Sequence, residues 1–130
     1  MPDDIYVDIG PMDASKAPKE YAAKVKGYMT DTVGKTVDKA KGFTTKQKGD
    51  GFTVRLKVTE LTVDAKGVSC KVSGELIRYP KPEMVSTGLT GNAKASGGKP
   101  EGLVKDCVES VVEDMMTKRV IPAMQKEARQ

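Results

Sequence analysis

Two stretches decide the fold: residues 52–76, FTVRLKVTELTVDAKGVSCKVSGEL, and residues 100–124, PEGLVKDCVESVVEDMMTKRVIPAM. In the first, Phe52, Val54, Leu56 and Val58 alternate with Thr53, Arg55, Lys57 and Thr59. That period of two sends successive side chains to opposite faces of a strand. The phase slips at Glu60, after which Leu61 and Val63 carry the apolar face. A one-residue slip inside a strand predicts a β-bulge. Asp64-Ala65-Lys66-Gly67 reads as the hairpin loop. Val68, Cys70, Val72 and Leu76 then share one face of the returning strand, opposite Ser69, Lys71, Ser73 and Glu75. In the second stretch, Val104, Cys107, Val108, Val111, Val112 and Met115 recur at three- and four-residue steps, an amphipathic helix with one apolar stripe. Asp106, Glu109, Glu113 and Asp114 fall early; Lys118, Arg119 and Lys126 fall late, which complements the helix dipole. Pro122 predicts a kink or the start of a short final turn.

Working outward, Ile5–Ile9 is a short β-rich run ended by Gly10-Pro11. Asp13 or Ser15 is expected to cap a helix with Pro18 in its first turn. Tyr21, Ala22, Val25, Tyr28, Met29, Val33, Val37 and Ala40 give that helix an apolar stripe, and Gly42 suits its end. Gly27 and Gly34 lie inside it, each costing about 1 kcal/mol relative to Ala. Either they permit close approach to the sheet, or the helix is marginal. Phe43–Lys48 reads as another strand, Gly49-Asp50-Gly51 as a turn, and Met84–Ala95 as a weaker strand rich in Thr, Ser and Gly. The order is β-α-β-β-β-β-α. It predicts one α+β domain over 1–130, frayed at 1–4 and 126–130. The expected architecture is a two-layer sandwich: a mostly antiparallel sheet of about four to five strands, with two helices on one face. The other face, bearing Thr53, Arg55, Lys57 and Lys71, is then either wet or a partner's surface.

The chain has 130 residues, 38% hydrophobic and 31% charged, with no Trp and no run able to span a membrane. Net charge is +4. Between Ser15 and Lys48 nine lysines face Glu20, Asp31 and Asp38, nine minus three, or +6. Lys19, Lys26, Lys35, Lys39 and Lys41 could form a basic surface for nucleic acid or an anionic membrane surface. The alternative is a solvated helix face, and the absence of Arg there argues against base recognition. The Met-Pro-Asp-Asp start resembles neither a signal nor a transit peptide. We expect a cytoplasmic protein, or one whose export segment has been removed.

Histidine is absent, which removes the commonest general base and metal ligand together. Two cysteines without His make a poor zinc site. The aspartates at 3, 4, 8 and 13 match no calcium loop. Gly88-Leu89-Thr90-Gly91 and Gly97-Gly98-Lys99 read as turn or strand glycines rather than phosphate loops. Nothing in the sequence brings Asp8, Glu60 and Glu75 together as a hydrolytic pair. We therefore expect no enzyme, no catalytic residue, no cofactor and no metal. Met29, Met115, Met116 and Met124 either fill core gaps or line a ligand cavity. Cys70 and Cys107 fall on facing apolar surfaces of hairpin and helix. They are either a disulfide, stabilising by about 4 kcal/mol in the chain-entropy model, or two small core side chains.

This pattern resembles small αβ domains of bacterial cell-envelope proteins: the TolB amino-terminal domain, the penicillin-binding-protein activator lipoproteins and the curli-export lipoproteins. Ile5–Ile9, the pairing of Phe52–Val63 with Val68–Ile77, Thr87–Gly91 and Leu103–Met116 carry it. The resemblance implies a non-catalytic adaptor or assembly module of the envelope or periplasm, binding another protein or itself through a sheet edge or the open sheet face. It transfers no functional residue, and this chain lacks a lipobox cysteine.

Overall fold

The computed structural model describes residues 4–128. In chain order the elements are β1 (Ile5–Ile9), α1 (Ala22–Lys39), β2 (Phe43–Thr44), β3 (Gly51–Asp64), β4 (Gly67–Tyr79), β5 (Met84–Ala95) and α2 (Pro100–Met115). A π-helical turn, Met116–Val120, and α3 (Ile121–Ala128) complete the described residues. Lys126–Ala128 are thus helical rather than frayed; 1–3 and 129–130 lie outside the described residues.

The sheet order is β2-β1-β3-β4-β5. β1 runs parallel to β2 and β3, while β3, β4 and β5 are antiparallel. The sheet is therefore mixed: α1 carries the chain back over the sheet, as a parallel connection demands. The anticipated α+β order stands. α1 and α2 lie side by side on one face, and α2 covers β4 and β5. Val25, Met29, Val33 and Val37 of α1 and Val104, Val108, Val111 and Met115 of α2 meet Val54, Leu56, Val58, Val72 and Leu76 in one core.

The bulge is where the slip predicted it. Val58 pairs with Val72 and Glu60 with Lys71, so Thr59 is the extra residue. Its hydroxyl donates to the Lys71 carbonyl at 3.2 Å. Removing Thr59 would leave Val58, Glu60, Leu61, Thr62 and Val63 in strict alternation, with every apolar side chain still inward. Deleting Thr59 should therefore cost no more than about 1 kcal/mol in urea unfolding. Deleting Ser73 from β4, which has no bulge to absorb it, should cost several times more, because a one-residue slip turns side chains to the wrong face.

Three local expectations change. Helix α1 begins at Ala22, with no side-chain cap, rather than at Asp13 or Ser15. The intervening chain continues along β3: the Asp13 N–H donates to the Leu56 carbonyl, and Val58 N–H donates to the Asp13 carbonyl. This buries Met12 and Ala14, a gain that outweighs one more helical turn. The strand expected over Phe43–Lys48 is only Phe43–Thr44, because the Lys46 N–H turns back to the Thr44 hydroxyl. Of the two helical glycines, Gly34 lies near Ile9 on β1, while a Cβ at Gly27 would meet open space. A Cβ at Gly34 would meet Ile9 only at an ordinary contact distance of 3.6 Å, so close approach requires neither glycine.

Ahead of Pro122 the helix widens. The Ile121 N–H reaches back five residues to the Met116 carbonyl. Pro122 has no N–H to give and its ring would crowd an α-helical carbonyl, so the wide turn accommodates it.

Candidate interaction surface

The sheet face away from the helices and the outer edge of β5 are the surfaces this fold leaves available. Register pairing places Arg55 beside Glu75, Lys57 beside Ser73, and Glu60 beside Lys71 on that open face. Arg55, Lys57 and Lys71 are exposed, as expected. Thr53 is not: it is 9% exposed and its hydroxyl donates to the Asp8 carboxylate at 2.9 Å. The expectation for Thr53 failed because alternation assigns a face but not what covers it. Here β1 and Gly10 lie against it.

A second buried patch sits on this face beside Thr53. Tyr6 and Ile77 are buried there, outside the main core. The Tyr6 and Tyr79 rings meet edge to face at 5.0 Å. Gly51 pairs in register with both tyrosines. The Tyr6 hydroxyl lies 3.4 Å from the Asp8 carboxylate. Burial, and then the Asp8 charge, push the Tyr6 phenol above its ordinary pKa. Ile77 pairs with Met84, the one large apolar side chain exposed among the described residues. The Lys71–Glu60 ion pair, 3.5 Å long and more than half exposed on both sides, contributes little to stability.

The carboxylates are spread out. Glu60 faces Lys71 and Glu75 faces Arg55; four residues of β4 separate those rows by roughly 13 Å. Asp8 lies on β1, held by Thr53. Among the described residues no three His, Cys, Asp or Glu side chains gather as a metal ion would need. Asp3 lies outside the described residues. Asp13 is held below the usual carboxylate range mainly by the Ser15 backbone N–H, at 2.8 Å.

The lysines do not form one patch. All five are exposed, but Lys26 and Lys35 are nine positions apart on the sequence and so on opposite sides of α1 at about 100° per residue. Lys35 and Lys39 instead border a groove toward α2, with Glu113 opposite. Lys26 lies on the side of Asp13, whose carboxylate it helps to hold ionised. Met29, Met115, Met116 and Met124 are at most 1% exposed and packed in the core. No helix among the described residues is long and apolar enough to cross a membrane. Gly97-Gly98-Lys99 lies in the turn between β5 and α2. Cys70 and Cys107 are free thiols in this structure, both buried in the layer between sheet and α2.

The β5 edge was legible only as a weak strand. From Leu89 to Ala95 it pairs with β4 in regular register, while irregularities fall between Gly74 and Ile77 on the partner. Its outer side has no neighbouring strand among the described residues.

No protein-family model matches this chain, and no curated protein matches it in sequence. Solved structures do share its fold. The hypothetical protein CT253 from Chlamydia trachomatis superposes with a TM-score of 0.62 at 9% identity, covering 88% of this chain and 95% of that one. PelC from Paraburkholderia phytofirmans, solved as a dodecamer, gives 0.61 at 11% identity, covering 90% and 89%. A putative lipoprotein from Caulobacter crescentus gives 0.51 at 11%, covering 94% and 90%. The chain therefore has an α+β fold also found in bacterial proteins, one of them described as a lipoprotein. None of the three is described as a TolB, penicillin-binding-protein activator or curli-export protein.

Proposed function

We propose that this chain is a non-catalytic assembly domain of a bacterial cell envelope, and that it associates with copies of itself through the outer edge of β5. The carrying observation is that edge: a 12-residue strand at the end of the sheet order. Its one charged residue is Lys94, and it contains no proline. Natural edge strands are commonly blunted by charge, proline, shortness or a covering element. The register irregularities blunt only the Met84–Gly88 half of β5. The Leu89–Ala95 half keeps a regular row of outward N–H and carbonyl groups, the template for adding a strand. The dodecameric state of PelC and the lipoprotein description of the Caulobacter protein support the reading by analogy of fold.

Light scattering after size exclusion, across a concentration series, tests it. A mass above one chain is expected. Replacing Thr90 and Asn92 with lysine places three like charges along the edge with Lys94. It should return the protein to one chain while leaving the unfolding midpoint within a few degrees. A wild type that scatters as a single chain at every concentration overturns the proposal, as does an oligomer indifferent to the two lysines.

A further inference from the structure

We propose that Cys70 and Cys107 are the two halves of a structural disulfide that joins β4 to α2, and that it can be closed only while the chain is folding. The geometry rests on Ala93. Cys70 and Ala93 are direct cross-strand partners in the β4–β5 ladder, a spacing of about 5 Å between neighbours. Cys107 descends from α2 onto that same pair: its sulfur lies 3.3 Å from the Ala93 carbonyl oxygen and 3.9 Å from that of Val68. Both cysteines thus lie against the same stretch of the β4–β5 ladder, in the layer between sheet and helix, and each is 1% exposed. The two thiols lie near enough that each perturbs the ionisation of the other.

The same burial protects the pair. It pushes both thiols above their ordinary pKa, most strongly Cys70. The thiolate is the nucleophile in disulfide exchange and needs access to its target. In the folded protein neither requirement is met. In the partly folded chain both are. The oxidant would be an external disulfide, RSSR. One cysteine thiolate attacks a sulfur of RSSR, forming a mixed disulfide and expelling one RS⁻. The second thiolate attacks the cysteine sulfur of that mixed disulfide, closing Cys70–Cys107 and expelling the other RS⁻. The two cysteine protons end on the two RSH released, and RSSR takes up the two electrons. A chain folded under reducing conditions keeps two small apolar core side chains instead. The redox state therefore records where folding took place and persists afterwards.

The test refolds the denatured, reduced chain in oxidised glutathione and, in parallel, in excess dithiothreitol. A third sample is first folded reduced and then placed in the same oxidised glutathione. Intact mass and free thiols in denaturant are read for each. The first sample should lose roughly 2 Da, show no free thiol and no glutathione adduct, and unfold roughly 10 °C higher than the second. The third should keep two free thiols long after the first has oxidised. A Cys107→Ala chain refolded in oxidised glutathione should carry a single adduct, on Cys70. Free thiols or two adducts in the first sample would overturn the proposal. So would a third sample that oxidises as fast as the first, or a cross-linked product without native circular dichroism.

Discussion

Alanine at Gly51 is expected to unfold most of the protein under conditions in which the wild type is fully native. Gly51 opens β3 and pairs with Tyr6 across the parallel ladder. A Cβ built there falls on the Tyr6 carbonyl, inside any permitted contact distance, with the Tyr6 carbonyl carbon and Cβ also closer than 3 Å. The obstacle is backbone, so no rotamer change relieves it. The chain must move β1 or give up the first ladder bonds. Moving β1 exposes Val7, which is 1% exposed, at about 1.5–3 kcal/mol. It also breaks the edge-to-face contact of Tyr6 with Tyr79, about 0.5–1.5 kcal/mol more. Met12 and Ala14, carried along β3 by the same strand path, loosen with it. With the loosening of Met12 and Ala14 added, the loss reaches the lower end of the stability of an ordinary domain, about 5–15 kcal/mol. A urea titration followed by circular dichroism checks this. An unchanged midpoint would mean that the two backbones are farther apart than described.

Truncating Met115 to alanine should cost about 2–5 kcal/mol, the range for emptying a large buried side chain. Met115 is 1% exposed and sits where α2 meets Gly74 of β4 and Gly91 of β5. A Cβ added at Gly91 of β5 would lie 2.6 Å from its Cγ, and one at Gly74 of β4 would lie 3.5 Å from its Cε. The two glycines and the long thioether are therefore one fitted unit. Gly91→Ala alone should cost about 1–3 kcal/mol, since Val111, at 3.1 Å, also blocks the added carbon. Combined with Met115→Ala, the same change should cost much less or even restore stability, because its methyl enters the space just vacated. The double-mutant cycle should show a coupling of roughly 1 kcal/mol or more. Strict additivity would separate α2 from Gly91 and refute the close packing of helix on β5.

The hairpin, its bulge and the stripe of α2 were readable because each is a repeat: apolar every second residue, a slip of one, apolar every third or fourth. What could not be read was whatever depends on partners far along the chain. Alternation in Ile5–Ile9 gives a strand without its direction, so the parallel pairing of β1 was invisible. Residues 13–18 carry helix-start chemistry, yet Met12 and Ala14 are drawn into the core beside β3. Thr53 has the right phase for an exposed face but lies under β1 and Gly10. The scattered lysines shared a stretch of sequence, not a side of α1. The cysteines were placed in the right layer by phase alone, while the Ala93 carbonyl that Cys107 meets belongs to β5, and no local pattern pairs it with Cys70.

The wide turn at Met116–Val120 changes what lies after it. Val108 and Met124 are sixteen positions apart, which on an unbroken α-helix puts them roughly 160° apart, on nearly opposite sides. One additional residue in the turn takes back about 100° of that, and Met124 lands in the core at 0% exposure. Thr59 does the corresponding thing in the sheet. Each layer thus carries a phase offset of a single residue, and everything downstream has its inside and outside set by it. A residue-by-residue alignment to a relative lacking either offset would match apolar positions with polar ones, so common ancestry within this fold could be erased from sequence while the backbone path is kept.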